Sequence, residues 1–316
     1  HGTLFDGTNW TARTRYDIES GTLYRHRPAN ANAIVADTGV ADRIEFGIGI
    51  DINDIQFQTA ANGRDLIIGI EGSGSLVASF ASISDQIILK EWVSNPGARG
   101  SIESFSFFNV GMVNVANTEL KGGTDGNDTL TATAGKENWV TGGAGEDSVA
   151  GAALNDILNG NSGQDTLKGE AGSDVLLGGL GDDTLIGGTG GTRDGQAAGD
   201  ILIGGDGSDT ASYETASGFV VASLGNPDIN SGDAAKDVYD SVEGLQGSNF
   251  KDTLEGDFGD NELRGGLGND TLRGALGDDY YVFARGDGQD TISDQYVPER
   301  QVIVDALGRL QGSYVS

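Results

Sequence analysis

Apolar residues recur every nine positions between Gly142 and Thr210, with one interruption between Gly190 and Gly199. Each step is a glycine-rich hexapeptide followed by three residues, the middle one apolar: Val149, Leu158, Leu167, Leu176, Leu185 and Leu202. Because successive strand residues point to opposite faces, three residues suffice for a short strand with one inward side chain. Nonapeptide repeats of this kind are typical of a parallel β-roll, in which two repeats make one coil.

The same step returns further along the chain. The inward positions there are Leu254, Leu263, Leu272 and Tyr281. Between the two blocks the period lapses after Ala211, and we expect that intervening segment to hold no site of its own.

Residues 41–118 follow the period-two alternation of β-strands instead. Ile44, Phe46, Ile48 and Ile50 alternate with other residues, and strand-like runs follow at 66–70, 86–92 and 102–107. Residues 1–40 carry an aromatic and basic cluster: Trp10, Arg13, Arg15, Tyr16, Tyr24, Arg25, His26 and Arg27. This cluster is either a surface for a sugar or anionic ligand or an edge hairpin around Gly21.

The sequence therefore predicts an all-β chain, with an N-terminal β domain followed by two right-handed parallel β-roll blocks joined by a spacer. The segments are 1–40 (unknown role), 41–118 (β domain), 119–212 (first roll), 213–246 (spacer), 247–295 (second roll) and 296–316 (C-terminal tail).

An aspartate ends most hexapeptides of the first roll: Asp147, Asp156, Asp165, Asp174, Asp183, Asp200 and Asp209. Since two repeats make one coil, aspartates eighteen apart stack on the same edge. Stacked carboxylates repel one another unless a cation lies between them. A hard cation with several oxygen ligands in flexible geometry fits best, which indicates calcium.

These nonapeptides resemble the RTX family, the repeats-in-toxin calcium-binding β-roll of proteins exported by type I secretion. The resemblance covers 122–209 and 247–292. It implies that each ion lies between one turn and the next turn on the same edge, bound by two aspartates and by backbone carbonyls. The ligands that it implies are Asp128, Gly143, Gly145, Asp147, Asp156, Gly160, Asn161, Ser162, Gly163, Asp165, Gly169, Ala171, Asp174, Gly178, Leu180, Asp183, Asp200, Asp209, Asp252, Asn261, Gly265, Leu267, Asp270, Gly274, Leu276, Asp279 and Asp290.

Three departures from the family pattern modify this prediction. The turn at 151–154 lacks two glycines, so we expect a weak or empty site between Asp156 and Asp174. Eight extra residues between Gly190 and Gly199 put the pairing of Asp174 with Asp200 in doubt. Asn261 replaces an aspartate, which should weaken the site that it shares with Asp279.

Residues 41–118 also resemble the haemolysin-type calcium-binding-related domain that precedes RTX repeats. The resemblance is carried by the runs at 42–47, 65–68, 89–92 and 102–105. It implies a β cap that covers the open end of the first coil.

Composition supports a calcium-binding module. The 316 residues include 53 glycines, no cysteine and a formal net charge of −29. This charge argues against nucleic acid or an anionic membrane surface as partner. It also predicts disorder without calcium, because self-repulsion and glycine entropy outweigh a thin core. No run reaches the about 18 apolar residues of a membrane span.

Catalytic constellations are scarce. His1 and His26 are the only histidines, so neither a zinc protease motif nor a Ser-His-Asp triad is expected. We therefore expect a non-enzymatic, monomeric calcium module of a larger secreted bacterial protein, exported by type I secretion. The alternatives are an adhesin-like or glycan-binding module acting through residues 1–118, and a non-catalytic fragment of a secreted enzyme or toxin.

Overall fold

A computed structural model describes most of the repeat region and parts of the segment before it. The described residues are 15–19, 22–27, 31–36, 43–46, 50, 52–61, 63–70, 80, 83, 85–89, 104–107, 111–115, 118–193, 195–293, 302–305 and 310–313, with the backbone alone before residue 37, at residues 43, 85 and 111–114, and after residue 301. Their regular structure consists of β-strands and short 3-10 turns. None of them forms a helix long and apolar enough to cross a membrane.

The described residues of the N-terminal β domain form nine strands: β1 (Arg15–Glu19), β2 (Thr22–Arg27), β3 (Ala31–Ala36), β4 (Arg43–Glu45), β5 (Ile55–Thr59), β6 (Leu66–Ile70), β7 (Asp85–Leu89), β8 (Ser104–Phe107) and β9 (Gly111–Asn114). One sheet has the order β3-β2-β1-β7-β6-β5, and a smaller one the order β4-β8-β9. Strands β1 and β2 pair in antiparallel orientation, and Gly21 between them lies outside the described residues. Strand β1 is not an edge strand, because it also pairs in parallel with β7.

Two stacks of parallel strands follow and form the roll. Its strands are β10 (Glu119–Gly122), β11 (Thr129–Thr131), β12 (Asn138–Ala144), β13 (Ser148–Ala150), β14 (Ile157–Ser162), β15 (Thr166–Lys168), β16 (Val175–Leu180), β17 (Thr184–Ile186), β18 (Gly191–Arg193), β19 (Gln196–Ala198), β20 (Ile201–Asp206), β21 (Thr210–Ser212), β22 (Val221–Ser223), β23 (Val238–Asp240), β24 (Gly244–Gln246), β25 (Thr253–Glu255), β26 (Glu262–Arg264), β27 (Thr271–Arg273), β28 (Tyr280–Phe283), β29 (Thr291–Ile292), β30 (Val302–Asp305) and β31 (Leu310–Ser313).

Three sheets build the roll. The covered sheet has the order β10-β12-β14-β16-β20-β23, and the long sheet the order β11-β13-β15-β17-β21-β24-β26-β28-β30-β31. A distal sheet, β22-β25-β27-β29, faces the far half of the long sheet. The extra residues after Gly190 form the hairpin β18–β19, and they leave β16 paired with β20.

The predicted inward side chains fill the space between the sheets. Val149, Leu158, Leu167, Leu176 and Leu185 are each 0 % exposed. In the second block Leu254, Leu263 and Leu272 are also 0 % exposed, and Tyr281 is 1 % exposed. Each strand contributes one inward side chain, and these side chains form one core cluster that is continuous across both blocks.

The spacer continues the roll instead of interrupting its sheets. Strand β23 pairs with β20 at the end of the covered sheet. Strand β24 pairs with both β21 and β26, so the long sheet passes from the first block into the second. We call residues 236–246 the seam.

The N-terminal β domain lies along the outer face of the covered sheet. Trp139 is 0 % exposed and makes edge contacts with Phe57 and Phe105 at ring-centroid distances of 5.2 and 5.8 Å. The backbone N–H of Phe57 donates to Oγ1 of Thr141 (2.9 Å). This contact with the face of the covered sheet was not expected from the sequence, which predicted a cap at the open end of the first coil. Apolar outward side chains of the covered sheet, such as Trp139, need a partner surface.

Candidate metal centre

Two rows of carboxylates follow the edges of the roll. Edge 1 contains Asp128, Asp147, Asp165, Asp183 and Asp209, and edge 2 contains Asp156, Asp174 and Asp200. In each row the Oδ1 atom of one aspartate accepts the backbone N–H of the preceding aspartate. The N–H of Asp147 donates to Asp165 (2.7 Å), and that of Asp165 donates to Asp183 (2.7 Å). These bonds fix the carboxylate planes and leave the second oxygen of each group facing the turn.

Most of these second oxygens are buried without a partner. Within the described part of the chain, no hydrogen bond reaches the Oδ2 atoms of Asp147, Asp165, Asp174, Asp183, Asp200, Asp209 and Asp270. Each of these residues is at most 3 % exposed. An unsatisfied buried polar group costs about 1–3 kcal/mol, and a charged one more.

Backbone carbonyls converge on the same spaces. A Cβ atom built on Gly160 would touch Oδ2 of Asp165 and lie 2.6 Å from the carbonyl oxygen of Gly178. Beside Gly142, the corresponding oxygens belong to Asp147 and, at 2.8 Å, to Gly160. The absence of a side chain thus leaves an oxygen-lined cradle at each turn.

The same cradle recurs on both edges and in both blocks. Beside Gly169 it is lined by Asp174 and by the Gly187 carbonyl (2.5 Å from the built Cβ). In the second block the pairs are Asp252 with Gly265 and Asn261 with Gly274. These are oxygens of the kind that calcium prefers, and no nitrogen or sulfur ligand intervenes.

Three aspartates differ, because their own turn satisfies the second oxygen. The N–H of Ala152 donates to Oδ2 of Asp156 (2.6 Å). The Oδ2 atom of Asp252 accepts hydrogen bonds from the N–H and the hydroxyl of Ser248. The Oδ2 atom of Asp128 accepts the same two bonds from Thr124. The Asp156 turn is the one that lacks two glycines.

Burial raises the pKa of the unpartnered aspartates. The pKa of Asp165 rises to about 7, and those of Asp174 and Asp183 to about 8, mainly through burial. For Asp165, the N–H of Asp147 lowers the pKa in part, and neighbouring carboxylates raise it again. The folded roll therefore disfavours its own ionised aspartates unless a positive charge joins them.

The other predicted backbone ligands lie in the same turns, and several of them bond from turn to turn. Gly143 and Gly145 have φ values of +112° and +119°, which only glycine adopts readily. The N–H of Gly145 donates to the Ser162 carbonyl and that of Gly163 to the Leu180 carbonyl, each at 2.8 Å. Other predicted ligands show similar contacts. Asn161 pairs with Gly143 and Gly179 on the neighbouring strands. The backbone N–H of Ala171 donates to the Ala152 carbonyl, and that of Leu276 donates to the Asp257 carbonyl. The side chain of Leu267 is exposed.

The second block repeats the hydrogen-bonded rows. The N–H of Asp252 donates to Oδ1 of Asp270 (2.8 Å), and that of Asp270 donates to Asp290 (2.9 Å). The N–H of Asn261 donates to Oδ1 of Asp279 (3.0 Å). Asp174 and Asp200, whose pairing at a calcium site was in doubt from the sequence, are neighbours in the edge 2 row, where the N–H of Asp174 donates to Oδ1 of Asp200 (2.8 Å).

Two acidic residues of the seam were missed from the sequence. The N–H of Asp200 donates to Oδ1 of Asp237 (2.8 Å), and that of Asp209 donates to Oε2 of Glu243 (3.0 Å). Both stand outside the nine-residue period. The available signal was an acidic residue directly before a three-residue strand.

The remaining candidates add no site that the structure describes. Among the described residues, no group of three or more His, Cys, Asp or Glu side chains is placed to hold a metal. The cradles described above each combine a carboxylate oxygen with a backbone carbonyl. The aromatic and basic cluster of residues 10–27 has its side chains outside the described residues, as does the side chain of every residue of the tail from Tyr296.

The fold and its turns define a parallel β-roll whose edges are lined with oxygen cradles. Residues 122–158, 159–191 and 246–281, about a third of the chain, match the family model of the RTX calcium-binding nonapeptide repeat (4 copies). The chain therefore carries RTX calcium-binding repeats. No curated protein matches it.

Proposed function

We propose that this chain is the calcium-binding part of a secreted protein, disordered without calcium and folded by calcium outside the cell. The observation that carries the proposal is the set of buried, unpartnered Oδ2 atoms. Seven such oxygens cost about 7–20 kcal/mol. That is as much as the whole folding free energy of an ordinary domain, about 5–15 kcal/mol. A core with one inward side chain per short strand offers little to offset this cost.

Calcium would remove this cost at each cradle. On edge 1, Asp165 and its neighbours Asp147 and Asp183 would bind successive ions together with the carbonyls of Gly160 and Gly178. When bound, the ion supplies positive charge and a flexible set of coordination positions. The chain's own residues hold the carboxylate planes through the Oδ1 bonds and keep the cradles open through glycine.

The Asp156 cradle should bind more weakly than its neighbours. Its Oδ2 atom already accepts the Ala152 N–H, so a cation there must compete with that bond. Extracellular calcium modules bind at about 10⁻⁴–10⁻³ M, which would keep the chain unfolded in the cell and folded after export. Secretion by the type I route rests on the family resemblance.

A calcium titration of the full chain, followed by far-UV circular dichroism, tests the proposal. We expect a disordered spectrum in chelator that becomes β-rich between micromolar and millimolar calcium, with no such change in magnesium. A β-rich spectrum that ignores both calcium and chelator would refute it.

A further inference from the structure

One oxygen cradle of edge 1 lies beyond the repeats that the family model matches. A Cβ atom built on Gly204 would touch both Oδ2 of Asp209 and the carbonyl oxygen of Ser241. Asp209 is 0 % exposed, and its Oδ2 atom has no hydrogen-bond partner in the described part of the chain. Ser241, a seam residue, thus takes the place that a glycine carbonyl holds at the earlier turns.

Glu243 takes the place of the next aspartate. Its Oε2 atom accepts the N–H of Asp209 (3.0 Å), as each Oδ1 atom does along the row. The N–H groups of Glu243 and Gly244 donate back to the Asp209 carbonyl (3.1 and 2.7 Å). These three bonds hold the glutamate beside the cradle and leave its Oε1 atom unused by them.

The surroundings favour a cation with water ligands. The carboxylates of Glu243, Asp182 and Asp206 all lie close enough to repel that of Asp209. A pocket of about 160 Å³ adjoins the seam and is lined by Glu243, Asp257, Asp260 and Asn261 among others. It has room for water molecules, each of which occupies about 30 Å³.

The seam on edge 2 is built differently. Asp237 there accepts the N–H of Asp200 through Oδ1, and its Oδ2 atom accepts the buried hydroxyl of Tyr213 (2.9 Å). A side chain of the protein therefore satisfies the terminal carboxylate on edge 2. The corresponding residue on edge 1 is Glu243, and the bonds described above leave its Oε1 atom unused. Among the described residues, the Oδ2 atoms of Asp200 and Asp209 are both without a partner.

We propose that a divalent cation of the calcium type binds at the seam, held by the carboxylates of Asp209 and Glu243 and by the Ser241 carbonyl. This inference rests on the proposed calcium-bound roll and extends it past the repeats. The seam ion would join the first block to the seam on edge 1.

Counting bound calcium ions per chain by native mass spectrometry tests this site. The full-length Glu243→Gln variant should carry one ion fewer than the wild type. Glu262→Gln, which changes an exposed glutamate on the neighbouring strand, should carry the same number as the wild type. An unchanged count in Glu243→Gln overturns the seam site alone, whereas a wild type without bound calcium overturns the calcium-bound roll as well.

A second variant covers the case in which Glu243→Gln does not reach the wild-type β content in calcium. Glu243→Asp keeps the charge but shortens the side chain by one methylene group. In calorimetric titration it should weaken one class of site by about tenfold, the lower end of the loss for a disturbed metal shell. Unchanged affinity at every site would overturn the proposal.

Discussion

Replacing Asp165 by asparagine should change stability in opposite directions with and without calcium. The substitution keeps an oxygen that can accept the Asp147 N–H, but it removes the charge that two ions would share. In calcium the variant loses ligands. In chelator it loses a buried charge that has no partner.

The two effects have estimable sizes. At about 10 mM calcium and a Kd of about 10⁻⁴–10⁻³ M, each ion stabilises the fold by about 1.4–2.7 kcal/mol, so two lost ions cost about 3–5 kcal/mol. Without calcium, burial raises the pKa of Asp165 from 3.8 to about 7. A pKa shift of this size corresponds to about 1.4 kcal/mol per unit, and we halve the result for solvent screening. The free energy of unfolding of the asparagine variant in chelator should therefore exceed that of the wild type by about 2 kcal/mol.

Urea unfolding followed by circular dichroism measures both effects. One series contains calcium, and the other contains chelator with trimethylamine N-oxide, which favours the compact state. Asp128→Asn is the matched control, because Asp128 ends the row and its Oδ2 atom already accepts the Thr124 N–H (2.7 Å) and hydroxyl (2.8 Å). We expect it to cost about 1 kcal/mol in both series, the usual size of one hydrogen bond.

Two results would refute this reasoning. Equal losses for Asp165→Asn and Asp128→Asn in calcium would mean that no ions are shared along edge 1. A loss for Asp165→Asn in chelator would mean that its Oδ2 atom is not an uncompensated charge.

Further variants and a pH series test the cradles and the core. Burial raises the pKa of Asp183 from 3.8 to about 8, so between these values the calcium-free fold binds more protons than the unfolded chain, and its stability falls as pH rises through that window. In chelator, β content should therefore increase as the pH falls from 8 towards about 5. Over the same range, the calcium concentration at the midpoint of folding (the calcium midpoint) should rise. A spectrum that does not depend on pH would contradict this. Gly160→Ala fills a cradle and should raise the calcium midpoint at least about tenfold. The control Gly126→Ala should leave the midpoint unchanged, because no atom lies within 4 Å of a Cβ built on Gly126. Equal midpoints for the two variants would argue against the cradle. Leu167→Ala should lower the free energy of unfolding, measured with urea in calcium, by about 2–5 kcal/mol. Leu154 is 43 % exposed, so Leu154→Ala should change it by no more than about 0.5 kcal/mol. Similar losses for the two variants would contradict the placement of Leu167 in the core.

The periodic part of the fold could be predicted because one physical unit repeats. A glycine turn, an aspartate and a three-residue strand have the same geometry wherever they recur, so Leu167 and Asp165 can be placed from their register alone. The structure buries the first and aligns the second with its row. The satisfaction of the Asp156 carboxylate could not be predicted, because it depends on the direction of one turn N–H.

The roles of the seam residues could not be predicted, because strand pairing sets their positions and the nine-residue spacing does not. Asp237 lies 37 residues after Asp200, and Glu243 lies 34 residues after Asp209. No fixed step along the chain connects them. Parallel pairing of β23 with β20 and of β24 with β21 brings them into line.

The sequence contains a pattern that indicates which sheet the N-terminal domain covers, but the nine-residue period makes that pattern easy to overlook. In the long sheet the inward residue is flanked by polar residues, as in Thr166–Lys168, whereas the covered sheet carries the apolar triplets Val175–Leu177 and Ile201–Ile203. Strands buried on both faces read as continuous apolar runs. These triplets distinguish the sheet that the N-terminal domain covers from the sheet that it leaves exposed.

The same strands therefore carry both the oxygen cradles and the surface on which the N-terminal domain packs. Strand β12 contributes Trp139 to that surface and Gly143, four residues later, to a turn of edge 1. A cation that orders the turn fixes the strand, and the ordered strand presents the indole to Phe57 and Phe105. We therefore expect calcium binding in the first block and docking of the N-terminal domain to stabilise each other, because both require the covered sheet to be formed.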